Sequence, residues 1–131
     1  MVTIPENLQY LLKWETKAFA FLGLTLKDGT PHVTPVWFDW DGTHVILNTA
    51  RGRLKDKVLK RHPRVAVTVP DPRDMNTYIQ LRGMVDGETE QGGYEEICRL
   101  REKYHGDRNF PRRPGEVRVT YTMRPERVYG E

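Results

Sequence analysis

The chain has 131 residues, of which 37% are hydrophobic and 30% charged, and its formal net charge at pH 7 is +3. This length fits one core, and no apolar run reaches the roughly 20 residues of a membrane-spanning helix, so we expect a single cytoplasmic domain over residues 1–131. Cys98 is the only cysteine, which excludes an intrachain disulfide and a cysteine-rich metal site.

The first third of the chain is predicted to form a helix and three strands. A capping-box pattern from Thr3 to Glu6 and an apolar stripe predict a helix that ends near Lys17. Strands are predicted over residues 18–26, 32–40 and 44–48, joined by Asp-Gly turns at residues 28–29 and 41–42. Pro35 has no backbone N–H, so its strand is expected at a sheet edge or a bulge.

The rest of the chain is predicted to form two helices and three more strands. A basic helix begins near Leu54, and a second helix covers residues 90–104. The strands are predicted at residues 64–69, 77–85 and 116–124. Gly83 marks a bulge, while residues 71–76 and 107–115 are predicted loops, the second one mobile without a ligand or partner. Six strands with helices inserted after the third and fifth indicate a mainly β fold, a small antiparallel barrel.

The passage from the third strand into the basic helix has the composition of a phosphate site. Asn48, Thr49 and Ala50 form a small polar turn, and seven Lys or Arg but only one acid follow between Arg51 and Arg64. Helix N-termini leave N–H groups unpaired and carry a positive partial charge, so an anion is favoured there. The predicted ligand is a phosphorylated cofactor or a nucleic acid, although such a basic run is also typical of a solvated helix face.

Five segments, in order along the chain, resemble one known superfamily. They are residues 28–38, 47–51, 53–59, 62–67 and, more weakly, 78–83. Their order and spacing resemble those of the split β-barrel flavin and deazaflavin oxidoreductases, the superfamily of pyridoxamine 5′-phosphate oxidase. More narrowly, the chain resembles the class that uses the deazaflavin coenzyme F-420. The resemblance implies a six-stranded antiparallel split β-barrel that forms a homodimer.

The resemblance also implies a cofactor site in a groove between two subunits, with the cofactor phosphate at the turn after the third strand. The positions that match are Pro35, Val36, Trp37, Asn48, Thr49, Ala50, Arg51, Arg53, Lys55, Tyr78 and Gln80. No catalytic side chain is indicated, because the four histidines lack metal-ligand spacing and no catalytic triad or carboxylate pair is present. In agreement with this absence, the resemblance implies an oxidoreductase in which F-420 transfers a hydride to a small organic substrate.

Three alternatives remain open from the sequence. FMN also carries a phosphate and a tricyclic ring, but only F-420 has an acidic tail, which Arg108, Arg112 and Arg113 could attract. A non-catalytic carrier of flavin or haem would use the same residues. A nucleic-acid module is disfavoured by the small net charge and by the lack of aromatic residues in the basic run. Substrate choice is expected to lie in the loops at residues 71–76 and 107–115.

Overall fold

Residues 2–131, which the computed structural model describes, contain seven strands in one antiparallel sheet. The strands are β1 Ala20–Thr25, β2 Pro31–Val36, β3 Asp39–Trp40, β4 Val45–Ala50, β5 Arg64–Asp71, β6 Asp74–Thr89 and β7 Arg118–Gly130. Two α-helices, α1 Leu54–Arg61 and α2 Gly93–His105, follow β4 and β6. No helix in this part of the chain has the length and apolarity needed to cross a membrane.

The sheet curls into an open half-barrel. Its spatial order is β2-β1-β5-β6-β7-β4-β3, so β2 and β3 are the two edge strands. Only Trp37 and Phe38 separate these strands along the chain. Two residues span at most about 11 Å between flanking Cα atoms, so the two edges of the sheet must approach each other. The split between the edges is therefore the point where the barrel stays open.

The structure corrects the predicted strand count from six to seven. The predicted strand over residues 32–40 breaks after Val36, and the short β3 pairs with β4 instead of extending β2. Pro35 lies on edge strand β2, as its missing N–H predicts. The break leaves the backbone of Trp37 and Phe38 outside the ladder, which matters for the site described below.

The core fills the concave side of the sheet. Leu22, Val67, Leu81 and Tyr121, from four neighbouring strands, are buried there almost completely. The predicted first helix is wrong in type and length, because residues Glu6–Leu12 and Trp14–Thr16 form two short 3₁₀ helices. The predicted capping box is also wrong, since the first of them has no side-chain cap. The leucines of this segment still pack into the core. The apolar stripe therefore predicts which residues are buried, but it does not predict the type of helix.

The long strand β6 shows why a glycine stands at residue 83. The pairing register of β6 with β7 shifts between Arg82 and Gly83, which confirms the predicted bulge. A Cβ at Gly83 would lie 2.0 Å from the carbonyl oxygen of Arg124, so no larger residue fits. The predicted loop at residues 71–76 is wrong, because β5 and β6 pair as far as Asp71 and Asp74 and leave only a tight turn.

Candidate functional site

A cleft of about 300 Å³ opens beside the split in the barrel. Its walls come from β2, the Trp37–Phe38 bend, β4, α2, β7 and the start of α1. Seven of the residues singled out from the sequence line it: Pro35, Val36, Trp37, Asn48, Thr49, Arg53 and Lys55. Residues from separate segments of the chain therefore meet in one place.

Lys55 is the cation of the cleft that has no protein partner. It makes no ion pair or side-chain hydrogen bond with residues 2–131, although it is partly buried in the cleft wall. Burial, and then the neighbouring Arg53 cation, lower the pKa of Lys55. Both causes disfavour the charged form, so an anion bound beside it would relieve the cost. Lys55 is thus available to bind an anion from solution.

Arg118 is a cleft cation that sequence reasoning missed. It begins β7, is only 7% exposed, and lies beside Arg53 and Lys55 in the cleft. Its Nε donates to the Asn48 side-chain oxygen at 2.9 Å. Glu116 accepts from Arg53 at 3.1 Å and from Arg118 at 3.4 Å. Three cations against one carboxylate leave this end of the cleft positive.

The N-terminus of α1 already has an anion from the chain itself. The buried Asp56 carboxylate accepts from the backbone N–H of Gly52 at 2.9 Å and from the Tyr121 hydroxyl at 2.6 Å. Burial opposes ionisation, but these hydrogen bonds and one from Arg51 hold the pKa of Asp56 below its usual value. Positive charge for an external phosphate therefore comes mainly from side chains. The sequence instead predicts a large contribution from the N-terminus of this helix.

Arg51 is directed away from the cleft. Its guanidinium bonds Asp56 at 3.0 Å and Glu90 at 2.8 Å, and it also pairs with Glu88. Three carboxylates therefore compensate the charge of the Arg51 guanidinium. Through these ion pairs, Arg51 links the turn after β4 to the end of β6. Ala50 is buried at the end of β4, next to Thr49 and outside the cleft lining.

Aromatic rings also line the cleft. Phe19, Trp37 and Phe110 line it, and the rings of Trp37 and Phe110 are 6.5 Å apart in an edge-to-face arrangement. The Arg118 guanidinium lies 5.0 Å from the centre of the Phe110 ring. The cleft thus combines three cations with adjoining aromatic side chains, which suits a ligand with a phosphate and a planar ring.

Phe110 reaches the cleft because the loop after α2 is packed against that helix. The Tyr94 hydroxyl donates to the Phe110 carbonyl at 2.7 Å, and the Arg112 guanidinium lies 3.8 Å from the centre of the Tyr94 ring. Arg101 pairs with Asp107 at 2.7 Å. These contacts pack the predicted loop against α2. Arg108 pairs with Glu102, so one of the three arginines expected to attract an acidic tail has a partner.

Tyr78 and Gln80 lie outside the cleft. Both are on β6, in the middle of the sheet, and the Gln80 amide donates to Thr68 Oγ1 at 3.2 Å. The histidines likewise form no site, since residues 2–131 contain no cluster of three His, Cys, Asp or Glu that could hold a metal ion. In the part of the chain that the structure describes, the cleft lining contains no His, Asp, Glu or Cys, so its geometry is mainly that of a binding cleft.

Comparison with protein families gives one match. The family described as pyridoxamine 5′-phosphate oxidase matches residues 4–130. Comparison with curated proteins finds no match.

Solved structures share the fold. A protein named F420 Reductase is 29% identical, with a TM-score of 0.84, and the match covers 96% of this chain and 98% of that one. A conserved hypothetical protein from Mycobacterium tuberculosis is 21% identical, with a TM-score of 0.71 and coverages of 98% and 85%. HupZ from Group A Streptococcus is 15% identical, with a TM-score of 0.67 and coverages of 99% and 94%.

Proposed function

The chain belongs to the pyridoxamine 5′-phosphate oxidase family, and from that premise we propose that it is a cytoplasmic oxidoreductase that uses coenzyme F-420 for hydride transfer to a small organic substrate. The observation that carries this proposal is the Lys55 ammonium, which has no partner among residues 2–131, in a cleft that is also lined by Trp37 and Phe110. The similarity to the F420 Reductase supports the choice of the deazaflavin over FMN.

The residues present fit such a cofactor. Lys55, Arg53 and Arg118 would hold its phosphate through charge-assisted hydrogen bonds, and the Thr49 hydroxyl would add a neutral one. The Trp37 and Phe110 rings would contact the planar ring and keep water from part of its surface. When bound, the deazaflavin supplies or accepts the hydride, and the chain's own residues bind, orient and exclude water.

A homodimer completes this proposal. Cross-strand pairing sets Pro35, Phe21, Thr68 and Gln80 in one row on the convex face of the sheet, and this row begins at the cleft. Val33 on the same face is 63% exposed. An exposed, partly apolar face suits a self-complementary two-fold contact. A second copy packed there would bring its Tyr78 and Gln80 towards the first copy's cofactor.

Separate titrations with F-420 and FMN test the cofactor assignment. The fluorescence of each free ring would be followed as purified protein is added, with the other cofactor as the comparison. We expect saturable binding of F-420 and weaker binding of FMN. Tight binding of FMN with none of F-420 would overturn the assignment.

Reoxidation of the bound reduced cofactor separates an enzyme from a carrier. Reduced F-420 would be loaded on the protein, and its absorbance would be followed after addition of small quinone, nitro and enone acceptors. An oxidoreductase accelerates reoxidation above the rate for free reduced F-420 with the same acceptor. Equal rates with and without protein across the panel would support a carrier instead.

A further inference from the structure

The Trp37–Phe38 bend is held from behind by two consecutive residues of α2. The Lys103 ammonium donates to the Phe38 carbonyl at 2.6 Å. The Phe38 N–H donates to the Tyr104 hydroxyl at 3.3 Å, and that hydroxyl donates to the Ala18 carbonyl at 2.7 Å. Both backbone polar groups of Phe38 are therefore satisfied by side chains that lie more than 60 residues away in the sequence.

The bend needs such partners because the sheet supplies none. Trp37 and Phe38 lie between β2 and β3 and have no strand partner. The Phe38 side chain is fully buried. A buried backbone N–H or C=O without a partner costs as much as a lost hydrogen bond, so the bend would relax without these contacts.

Tyr104 also fixes the Trp37 ring. The two rings are stacked with their centres 5.5 Å apart and their planes 15° apart. The Phe19 ring meets Tyr104 edge-on at 4.9 Å. Trp37 and Phe19 line the cleft, whereas Tyr104 is not among the residues that do. Tyr104 thus supports the Trp37 and Phe19 rings from outside the cleft.

Lys103 is unusual in being a fully buried lysine. Its ammonium lies 4.1 Å from the centre of the Phe38 ring and 4.9 Å from that of Tyr104. The charged groups that face it are Asp39 on β3, Arg99 on α2 and Glu15 near the N-terminus. Burial lowers the pKa of Lys103 to about 8. An apolar residue at this position would avoid the cost of burying a charge. A buried lysine therefore needs a specific polar contact, and the Phe38 carbonyl provides it.

We propose that Lys103 and Tyr104 are positioning residues that hold the Trp37–Phe38 bend, so that Trp37 stays in the wall of the cleft. They act through Trp37 and Phe38 and contact no ligand themselves. The positioning claim concerns the protein alone. Its consequence for cofactor binding rests on the proposed function.

Fluorescence of Trp37 tests the positioning claim without any cofactor. Trp14 and Trp40 would both be changed to Phe, so that Trp37 is the one emitter. Lys103→Met and Tyr104→Phe would be compared in this background, with Glu95→Gln, an exposed residue on the same helix, as the matched control. Acrylamide quenching and the emission maximum would be measured below the unfolding transition of each variant.

Lys103→Met should increase acrylamide quenching and shift the emission of Trp37 to the red. Tyr104→Phe should do so less, because it keeps the ring stack and loses only the hydroxyl. The Glu95→Gln control should match the parent. Quenching and emission equal to the parent in both variants would overturn the proposal.

Cofactor binding tests the consequence for the cleft. Lys103→Met removes a charge-assisted hydrogen bond that orders the cleft wall, so we expect it to raise the Kd for F-420 by about tenfold. The Kd of Tyr104→Phe should lie between those of the parent and Lys103→Met. Unchanged Kd values alongside altered Trp37 emission would overturn the link to the cleft. If the parent protein binds neither F-420 nor FMN, the proposed function fails, and the fluorescence arm alone still decides the positioning claim.

Discussion

The Nε of Arg118 donates a hydrogen bond to Oδ1 of Asn48 across a distance of 2.9 Å. This bond joins the start of β7 to the end of β4 on the wall of the cleft. The Asn48 amide nitrogen in turn donates to the Gly93 carbonyl at 2.8 Å, at the beginning of α2. The amide oxygen and the amide nitrogen of Asn48 are thus both hydrogen-bonded within the protein. The role of Asn48 in the cleft is therefore to orient Arg118.

Replacement of Arg118 by Met should weaken phosphate binding. The change keeps an unbranched apolar stem but removes a buried guanidinium from the cationic end of the cleft. Loss of one charge-assisted contact predicts that the Kd for F-420 rises by about tenfold or more. The measurement is a fluorescence titration, with Arg124→Met on the same strand as control. Equal affinity of Arg118→Met and the parent would contradict the placement of Arg118 in the site.

Replacement of Glu116 by Gln should act in the opposite direction. Glu116 accepts from both Arg53 and Arg118 and is the carboxylate that opposes the cationic end of the cleft. Removing its charge raises the local positive potential, so the affinity for a phosphorylated ligand should increase several-fold at low salt. The gain should shrink as sodium chloride is added. A weaker affinity at all salt concentrations would mean that Glu116 orients the arginines more than it neutralises them.

Replacement of Asp56 by Asn should destabilise the fold at neutral pH. The buried carboxylate compensates Arg51 and accepts from Gly52 and Tyr121. Breaking such a buried charged network costs about 3 kcal/mol in the free energy of unfolding.

The pH dependence of this effect has a defined sign. The pKa of Asp56 is lowered by folding, so its contribution is present above the unfolded value of about 3.9 and is lost as the pH falls through the folded value. Urea unfolding of the parent and Asp56→Asn at about pH 7 and about pH 3 measures the difference, which should be smaller in acid. A pH-independent difference would contradict the assignment of Asp56 as a charged partner.

The sequence predicts well those elements whose signals are local. The Asp-Gly turns predict the two hairpins, with Gly29 and Gly42 at positive φ. Pro35 predicts an edge strand, and the turn after β4 is correctly placed before a basic helix. The first helix is wrong although its capping pattern is present, because such a pattern is only a weak local signal, and the buried leucines are carried by a 3₁₀ helix instead.

What the sequence does not predict depends on contacts between distant residues. Arg118 lies inside a predicted strand, and nothing local indicates that its guanidinium enters the cleft beside Asn48, 70 residues earlier. Lys103 resembles any lysine on an amphipathic helix until the fold buries it. The charge of Arg51 resembles that of Lys55 in sequence, but in the fold Asp56, Glu88 and Glu90 pair with it and direct it elsewhere.

Replacement of Lys103 by Met should change how stability depends on pH above neutrality. The pKa of Lys103 is about 8 in the folded protein, against 10.5 for an ordinary lysine. Between these values the unfolded chain binds a proton that the native protein has lost, so raising the pH stabilises the parent relative to Lys103→Met. Urea unfolding across that pH range should show this relative gain, at about 1.4 kcal/mol for each unit of pKa difference. A constant difference between the two proteins would contradict a buried, titrating Lys103.

The most direct test of the account is the capture of F-420 by a double variant, Arg53→Ala with Lys55→Ala. Both residues line the cleft, whereas Lys57 and Lys60 on the same helix lie outside it and provide a matched double control. Circular dichroism would first establish that both double variants keep the fold. The account predicts that F-420 binding is lost in Arg53→Ala/Lys55→Ala and kept in Lys57→Ala/Lys60→Ala. Unchanged F-420 binding by the folded Arg53→Ala/Lys55→Ala variant would contradict the claim that these cations hold the phosphate of the cofactor.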